Sequence, residues 1–358
     1  MNFTTYLKTV PVDIDQRINA YLGEWIKTAN AYSPLLEPLY AQFADACAGG
    51  KRLRASLVKL GFDMVGGYLD EKIYPAAMAY EIFQAGILAH DDIIDNSPLR
   101  RGKPTVFKAL EKRCATDLRG KGNAAHYGVS QTICLGDMGL YMAIQLINDS
   151  AFNAEAKNKA VSFFTKTVID TIAGELLDVE IPYLNDINTI TKDDLLAICR
   201  YKTARYTIVG PLSLGAILGK GSQYTLEAIS DYGDHLGIAF QLKDDLLGIF
   251  GDEATTGKSA TSDIEEGKIT LPYWYALQQA TIPQKEFLQK HYGTGPVMPE
   301  IHDEIKQIFT DTGAKNYTEI MMDDLVAKAL DATTQVTAND AYRNILRDLA
   351  NYMIKREK

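Results

Sequence analysis

The chain contains 358 residues, of which 46% are hydrophobic and 23% are charged, and its formal net charge is −9 at pH 7. This composition is typical of a globular protein, and the acidic balance argues against general nucleic-acid binding, which requires a basic surface. No segment reaches the roughly eighteen apolar residues of a membrane span, and no signal peptide is indicated. The four cysteines form no CxxC pair, so we expect a protein of the reduced cytoplasm.

Apolar residues recur at three- and four-residue spacings along most of the chain, whereas the alternating pattern of β-strands is scarce. We therefore predict an all-α protein. The predicted helices cover residues 13–31, 34–47, 75–97, 129–148, 155–183, 193–206 and 224–250, with further helices between 272 and 358. Residues 109–128 are expected to include a loop. Residues 129–148 are apolar all round, which predicts a central helix or one at a subunit interface.

The helix predicted over residues 75–97 ends in three carboxylates, Asp91, Asp92 and Asp95. Asp91 and Asp95 are four residues apart and share one helical face, where their charges repel unless a cation binds them. Oxygen ligands suit Mg²⁺, which takes one or two carboxylates and completes its shell with water and substrate phosphates. Pro98 prevents the helix from continuing much further. The alternative is a solvated acidic helix end.

Two basic segments accompany these acids. Arg100, Arg101 and Lys103 follow directly, and residues 49–54 read Gly-Gly-Lys-Arg-Leu-Arg. Arginine and lysine bind phosphate groups, and the free N–H groups at the start of a helix favour an anion. Both segments are candidates for holding a diphosphate, and the alternative for each is a solvated basic turn.

The helix predicted over residues 224–250 repeats the arrangement, because it also ends in paired aspartates, Asp244 and Asp245. The position four residues after Asp244 is Gly248 rather than an acid, and Asp252 follows one turn later. The loop beyond this helix carries two lysines that each follow a glycine, Lys258 and Lys268.

Three segments resemble functional motifs or sites but are interpreted as structural. Residues 185–193 approach the second metal motif of terpene cyclases, yet Thr191 and the acids after it fit a helix N-cap better. Residues 251–259 resemble a P-loop, but the glycines are one residue too far apart and the segment follows a helix rather than a strand. The carboxylates of Glu175 and Asp178 are interpreted as surface acids, with a position facing the substrate pocket as the alternative.

Five motifs occur in order across about residues 45–275: GGKRLR, HDDIIDNSPLRRGKPT, KTA, FQLKDDLLGIFGD and GKSATSDIEEGK. With this set the chain resembles the trans-prenyl diphosphate synthases of the polyprenyl synthetase family. The resemblance implies an enzyme that joins isopentenyl diphosphate to an allylic diphosphate. It also implies one all-helical domain over residues 1–358, folded as a bundle around a deep central cavity (the isoprenoid synthase fold), and a homodimer.

The resemblance also implies roles for individual residues. Three Mg²⁺ ions are expected on the allylic diphosphate, two held by Asp91 and Asp95 and the third by Asp244, with Asp92 and Asp245 as further candidate ligands. The residues expected to contact isopentenyl diphosphate are Lys51, Arg54, Gln84 and Arg101. The residues expected to contact the allylic diphosphate are Arg100, Lys202, Gln241, Lys258 and Lys268, with Thr203 beside the reacting carbons.

The sequence departs from the family pattern at three positions. Gly248 stands where many relatives have a third aspartate, Gln84 where His is frequent, and Ala55 where proline is frequent. The change at Gly248 makes Asp244 the firmest ligand of the second acidic motif and leaves Asp245 and Asp252 less certain.

Product length is expected to depend on the helix before Asp91. Short-chain members of the family place an aromatic side chain at a position that corresponds here to Gly86 or Ile87. Gly86 is expected to leave a gap, so that the first aromatic is Phe83, about 12 Å below Asp91 at about 1.5 Å per residue. Phe83 is interpreted as the floor of the pocket, and the alternative is an ordinary core residue. This floor predicts geranylgeranyl diphosphate, with a longer product from Phe83→Ala and a shorter one from Gly86→Phe.

Other functions remain as alternatives at this stage. The product could be farnesyl diphosphate or a longer polyprenyl diphosphate. A class I terpene cyclase is supported only by residues 185–193. A non-catalytic subunit of a heteromeric prenyl synthase is opposed by the complete first aspartate cluster, because such subunits usually lose it.

Overall fold

The computed structural model describes residues 2–67, 71–118, 122–184, 186–251 and 261–354. In these residues nearly all regular structure is helical, which confirms the all-α prediction. The α-helices are α1 Phe3–Thr9, α2 Pro11–Tyr32, α3 Glu37–Cys47, α4 Leu53–Phe62, α5 Tyr74–Ile94, α6 Val106–Arg113, α7 Ala124–Asn148, α8 Ala154–Glu180, α9 Lys192–Ile198, α10 Gly210–Leu218, α11 Gln223–Phe250, α12 Ser262–Glu266, α13 Leu271–Gln279, α14 Ile282–His291, α15 Pro299–Asp311, α16 Ala314–Val336 and α17 Asp340–Ile354.

Shorter elements connect these helices. Within the described residues, Cys114–Leu118 and Cys199–Val209 are π-helical, and Asp63–Gly67 is a similar turn whose backbone is non-helical at Val65 and Gly66. The 3₁₀-helical segments are Glu71–Ile73, Ile181–Tyr183 and Ile187–Thr189. One antiparallel hairpin joins β1 Leu99–Arg100 to β2 Lys103–Pro104, with Arg100 opposite Lys103. The chain divides into two compact units, the first made mainly of Phe3–Thr165 with Pro211–Ser222 and the second of Lys166–Gly210 with Gln223–Lys358.

Helix α5 is the central element of the first unit. It packs most extensively on α7 and also contacts α4, α2 and α3. Most of its side chains are buried, including Tyr80, Phe83 and Asp92. Pro75 lies in its first turn, where a missing N–H costs nothing. The helix ends at Ile94, ahead of Pro98, as the sequence predicts.

The second unit is organised around α11, which packs on α16, α17 and the π-helical segment Cys199–Val209. Two glycines permit close packing on that segment. A Cβ at Gly174 of α8 would lie 2.3 Å from the Lys202 backbone nitrogen, and a Cβ at Gly237 of α11 would lie 2.4 Å from the Ala204 Cα. The π-helical backbone is a feature often found at functional sites.

Residues 109–128, which were expected to include a loop, contain the end of α6 at Arg113 and the start of α7 at Ala124, and residues 119–121 between them lie outside the described residues. The hairpin of β1 and β2 was not predicted, since two-residue strands leave no alternating pattern. The four cysteines, all within the described residues, are free. Across the part of the chain that the structure describes, no helix has the length and apolar character needed to cross a membrane.

Candidate active site

The acidic end of α5 is bound by an arginine from the following hairpin. Arg100 donates from Nη2 to Asp91 Oδ2 at 2.8 Å and from Nε to Asp92 Oδ1 at 2.6 Å. The turn between β1 and β2 uses left-handed backbone at Arg101 (φ 54°) and Gly102 (φ 73°), so that β2 returns antiparallel to β1. Arg100 therefore places a positive charge on Asp91 and Asp92, two of the carboxylates for which the sequence predicts Mg²⁺.

Burial changes the acidity of the central aspartate. Asp92 is 3% exposed, and this burial raises its pKa from 3.8 to about 6. Arg100 opposes the shift by charge and hydrogen bonding, whereas the charges of Asp91 and Asp95 add to it. Desolvation therefore outweighs the ion pair at this position.

The basic loop before α4 lies next to Arg101. Gly49 and Gly50 have φ values of 75° and 93°, so the loop uses backbone that favours glycine. A Cβ at Gly50 would lie 2.9 Å from Arg101 Nη1, which shows that the guanidinium lies against this glycine. Partial burial lowers the pKa of Arg101, and the charges of Arg100, Arg52 and Arg54 lower it further, while Glu81 opposes them. The two basic segments thus form one cluster.

Within this cluster Arg52 differs from its neighbours. It is buried, with a left-handed φ of 51°, and its guanidinium pairs with Asp15 Oδ1 at 2.6 Å and donates to the Cys47 carbonyl at 2.8 Å. It also faces Glu81, whose Oε1 accepts a hydrogen bond from the Ala55 N–H at 2.9 Å. Glu81 therefore already satisfies one of the N–H groups at the start of α4. Sequence reasoning missed Arg52 and Glu81, because their partners are distant along the chain.

The other residues proposed for isopentenyl diphosphate remain accessible. Lys51 is exposed, and Arg54 and Gln84 are half-buried. Arg101 is exposed over the residue as a whole, although its guanidinium lies against Gly50. In the loop before α4, the two accessible cations, Lys51 and Arg54, are thus the ones that the family resemblance selects, whereas it omits the buried Arg52.

The structure contradicts the gap expected at Gly86. A Cβ there would lie 2.8 Å from the Gly136 carbonyl oxygen and 3.4 Å from the Gly139 Cα, so α7 fills the space beside this glycine. The reason is helical geometry: five residues turn by about 500°, which directs position 86 about 140° away from Asp91. Ile87 is half-buried and Phe83 is fully buried.

In the second unit, Lys202 is held by two acids of α8. Its Nζ lies 2.8 Å from Glu175 Oε2 and donates to Asp178 Oδ2 at 2.5 Å. The side chains of all three residues are about one-fifth exposed. The interpretation of Glu175 and Asp178 as surface acids is therefore wrong, because both are partly buried and form ion pairs with Lys202.

A hydrogen-bonded chain links three further candidates. Thr203 Oγ1 donates to Gln241 Oε1 at 2.5 Å, and Gln241 Nε2 donates to Asp245 Oδ1 at 2.8 Å. Asp245 is buried, and burial raises its pKa well above the usual range. The hydrogen bond from Gln241 opposes this shift, while the charges of Asp263 and Asp244 strengthen it. The more accessible acid of the pair is Asp244, which is half-buried.

The space beside Gly248 is occupied by an acid from another helix. A Cβ at Gly248 would lie 2.1 Å from Oδ2 and 2.9 Å from Cγ of Asp263, which lies on α12. Lys268, just after α12, lies 3.0 Å from Glu266 Oε2 and accepts a hydrogen bond from the Tyr292 hydroxyl at its carbonyl. Lys258 and Asp252 lie outside the described residues.

The terpene-cyclase-like segment forms caps. Thr191 and Asp194 make a reciprocal capping box at the start of α9, which confirms the predicted N-cap. Asp186 caps the 3₁₀-helix Ile187–Thr189 by accepting a hydrogen bond from the Asn188 N–H at 2.9 Å. Asn185 and the P-loop-like residues 252–259 lie outside the described residues.

Comparison with known proteins identifies the family. Residues 36–311 match the model of the polyprenyl synthetase family. The chain belongs to the polyprenyl synthetase family. Over its whole length it is 30% identical to the geranylgeranyl diphosphate synthase of Saccharolobus solfataricus, of which it covers 99%. It is also 30% identical to the geranylfarnesyl diphosphate synthase of Aeropyrum pernix, over 87% of this chain and 92% of the relative.

A solved structure of the same family is similar along the whole chain. The geranylgeranyl pyrophosphate synthase of Corynebacterium glutamicum, complexed with isoprenyl diphosphate and magnesium, has a TM-score of 0.90 to this chain at 32% identity. The match covers 99% of this chain and 100% of the other. These findings confirm the trans-prenyl diphosphate synthase family and its isoprenoid synthase fold. The protein is accordingly an enzyme, a trans-prenyltransferase. The roles of single residues stay predictions.

The acids of this polyprenyl synthetase suit Mg²⁺ by their chemistry. No group of three His, Cys, Asp or Glu side chains gathers as a ready metal site within the described residues. Mg²⁺ needs only one or two protein carboxylates when water and substrate phosphates complete its shell. Asp91 offers such an oxygen at the end of α5, and its present partner is Arg100. Metal ions and Arg100 would therefore share the same carboxylates.

Proposed function

We propose that the enzyme condenses isopentenyl diphosphate head to tail with an allylic diphosphate, in the trans geometry, and that its product is geranylgeranyl diphosphate. One observation carries this proposal: acids and cations meet in the first unit. Arg100 bridges Asp91 and Asp92, while the adjacent Arg101 lies over Gly50 of the basic loop. Groups suited to metal ions and groups suited to a diphosphate thus follow one another along the chain.

The proposed reaction begins with loss of pyrophosphate from the allylic substrate. Breaking the C–O bond leaves a carbocation and a negatively charged leaving group, so fixed positive charge beside that group lowers the barrier. Arg100 and Lys202 are proposed to supply such charge, and their carboxylate partners hold both cations in place before substrate binds. The other residues proposed for the allylic diphosphate are Gln241, Lys258 and Lys268.

The second substrate must present its double bond to the carbocation. We assign its diphosphate to Lys51, Arg54 and Arg101, with Gln84 beside them on α5. Holding the two reactants in register supplies much of the rate by orientation. Thr203, fixed by its hydrogen bond to Gln241, is proposed to border the reacting carbons. The departing pyrophosphate is proposed to take the proton that is lost, so no protein nucleophile is needed.

Magnesium is the proposed cofactor. When bound, Mg²⁺ would neutralise the charge of the leaving pyrophosphate. We assign two ions to Asp91 and Asp95 and a third to Asp244. Asp92 and Asp245 are assigned supporting roles, because each is buried and holds another site residue by a hydrogen bond. Since the family match runs through both compact units, we propose that they serve one catalytic domain.

The proposed product length rests on relatives and on the buried floor residue. A relative that covers the whole chain is named geranylgeranyl diphosphate synthase. Phe83 is fully buried below Asp91 on α5. A relative named geranylfarnesyl diphosphate synthase makes a product one five-carbon unit longer the second candidate.

We also propose that the enzyme is a homodimer of the reduced cytoplasm. An apolar stripe runs along α8 and the turn after it, formed by Ile169, Ile172, Leu176, Val179 and Tyr183. These side chains recur at three- and four-residue spacings and are between 38% and 83% exposed. Such a stripe is the pattern by which one helix packs on another, and a second copy of the chain supplies a matching face. The free cysteines suit a reducing compartment.

A direct assay tests the reaction. The purified protein is incubated with Mg²⁺, isopentenyl diphosphate and allylic primers of increasing length. We expect pyrophosphate release and a linear twenty-carbon diphosphate, and Asp91→Asn should lower turnover roughly a hundredfold or more. Asp324→Asn removes an equally small acid from an exposed pair on α16 and should leave turnover unchanged. Cyclic hydrocarbons, or no turnover with any primer, would contradict the proposal.

A further inference from the structure

Phe83 packs against two other aromatic rings, and the three ring centroids form a triangle. Its ring centroid lies 5.2 Å from that of Phe164 and 6.2 Å from that of Tyr80, and the Tyr80 and Phe164 centroids are 5.3 Å apart. All three pairs meet edge to face, with interplanar angles of 74° to 86°. Each of the three residues is at most 1% exposed. Two of the rings come from α5 and the third comes from α8.

Ideal helix geometry places Phe83 to one side of the direction in which Asp91 points from α5. At about 100° per residue, Phe83 points roughly 80° away from the direction of Asp91, whereas Tyr80 points within about 20° of it. Phe83 lies about 12 Å and Tyr80 about 16 Å below Asp91 along the helix. Because the Phe164 centroid is almost equally far from the Phe83 and Tyr80 centroids, its ring lies at a level between them.

We propose that Phe164 is a specificity-determining residue, which sets product length together with Phe83 and Tyr80. The inference rests on the proposed prenyl-chain elongation. A growing chain that passes Phe83 meets the edge of the Phe164 ring before it reaches Tyr80. Removing Phe83 alone leaves two rings in place, and Phe164 can relax into part of the vacated space, as side chains around a truncated residue commonly do.

The test compares product lengths in Phe83→Ala, Phe164→Ala and the double variant, with Phe163→Ala as the matched control. Phe163 precedes Phe164 on α8 but is only half-buried, so the control removes the same group from the same helix. A farnesyl primer and excess isopentenyl diphosphate are used, and the dephosphorylated products are separated by chain length. Phe164→Leu is included because it fills more of the space and keeps the core intact if the alanine variant does not fold.

We expect Phe164→Ala and Phe164→Leu to shift the main product by at least one five-carbon unit and the double variant to exceed both single variants. The control should retain the wild-type product. A merely structural role would lower the rate or stability without changing chain length. Wild-type product length in the Phe164 variants, with the double variant equal to Phe83→Ala, would overturn the inference. Absence of linear products from the wild-type protein would instead contradict the proposed function.

Discussion

Arg52 and Glu81 face one another in the interior of the first unit, with Nη1 of the arginine 3.4 Å from Oε2 of the glutamate. Both side chains are about 4% exposed. Glu81 uses its second oxygen to accept a hydrogen bond from the Ala55 N–H. One carboxylate of α5 therefore fixes both the loop before α4 and the first turn of α4. The accessible cations Lys51 and Arg54 flank this fixed point.

Glu81→Gln should weaken this support, because the amide can still accept from Ala55 but no longer carries charge opposite Arg52. We expect a loss of about 1–3 kcal/mol in the free energy of unfolding, since Arg52 stays buried and keeps Asp15. The KM for isopentenyl diphosphate should rise several-fold more than the KM for the allylic substrate. Denaturant titration and initial rates measure both effects.

The control for this variant is Glu71→Gln. Glu71 pairs with Arg17, but both side chains are exposed, so the expected loss is below about 1 kcal/mol. Equal losses in the two variants, or equal changes in the two KM values, would show that Glu81 does not position the basic loop.

Gly248→Asp would restore the family's acidic motif but should destabilise this protein. The new Cβ would lie 2.1 Å from Asp263 Oδ2, so the Asp263 side chain must move and two carboxylates would lie close together. We expect a loss of about 1–3 kcal/mol from overpacking alone. Gly248→Asn has the same size without the charge and should lose less. The double variant Gly248→Asp with Asp263→Ser should recover at least half of the loss in thermal unfolding. A Gly248→Asp protein as stable as the wild type would refute this account.

Local features of the fold were predictable from the sequence, and long-range ones were not. Thr191 as an N-cap and the end of α5 ahead of Pro98 follow from neighbouring residues. The acidic cluster at the end of α5 is also visible in the sequence, whereas its pairing with Arg100 was not predicted. By contrast, the close contact of Gly86 depends on which helix packs beside it. The spacing of residues along one helix predicts the direction of each side chain but not which other helix packs against it.

The acids around Lys202 illustrate the same limit. Glu175 and Asp178 are separated from the lysine by more than twenty residues, and nothing in their own helix distinguishes them from surface acids. The aromatic triangle is similar, because Phe164 joins Phe83 and Tyr80 only through the packing of α8 on α5. Family motifs predicted the accessible site residues, whereas the residues that hold them in place became visible only in the three-dimensional structure.

The raised pKa of Asp92 predicts a pH dependence of stability in the metal-free protein. Its folded-state pKa of about 6 exceeds the ordinary value of 3.8. Between these values the folded state binds more protons than the unfolded state, so the contribution of this group to stability falls as pH rises from about 4 to about 6. Asp92→Asn removes the titrating proton. The stability of the variant relative to wild type should therefore increase across this window and level off above it.

Denaturant titrations in EDTA at pH values from 4 to 7 test this expectation. Asp193→Asn removes an exposed acid at the start of α9 and controls for the loss of one charge. A difference between Asp92→Asn and wild type that stays constant with pH, or that decreases between pH 4 and pH 6, would contradict the sign of the shift.

The apolar stripe on α8 predicts which substitutions separate the proposed homodimer. Leu176 is 66% exposed at the middle of the stripe, and Leu176→Asp would place a charge where a partner helix is expected to bury it, at a cost of several kcal/mol per subunit. Sedimentation velocity at micromolar protein should show a dimer for the wild type and a monomer for the variant. Ile320→Asp changes an apolar residue of α16 that is 62% exposed outside the stripe and should leave the dimer intact. A Leu176→Asp protein that sediments with the wild type would place the subunit contact elsewhere.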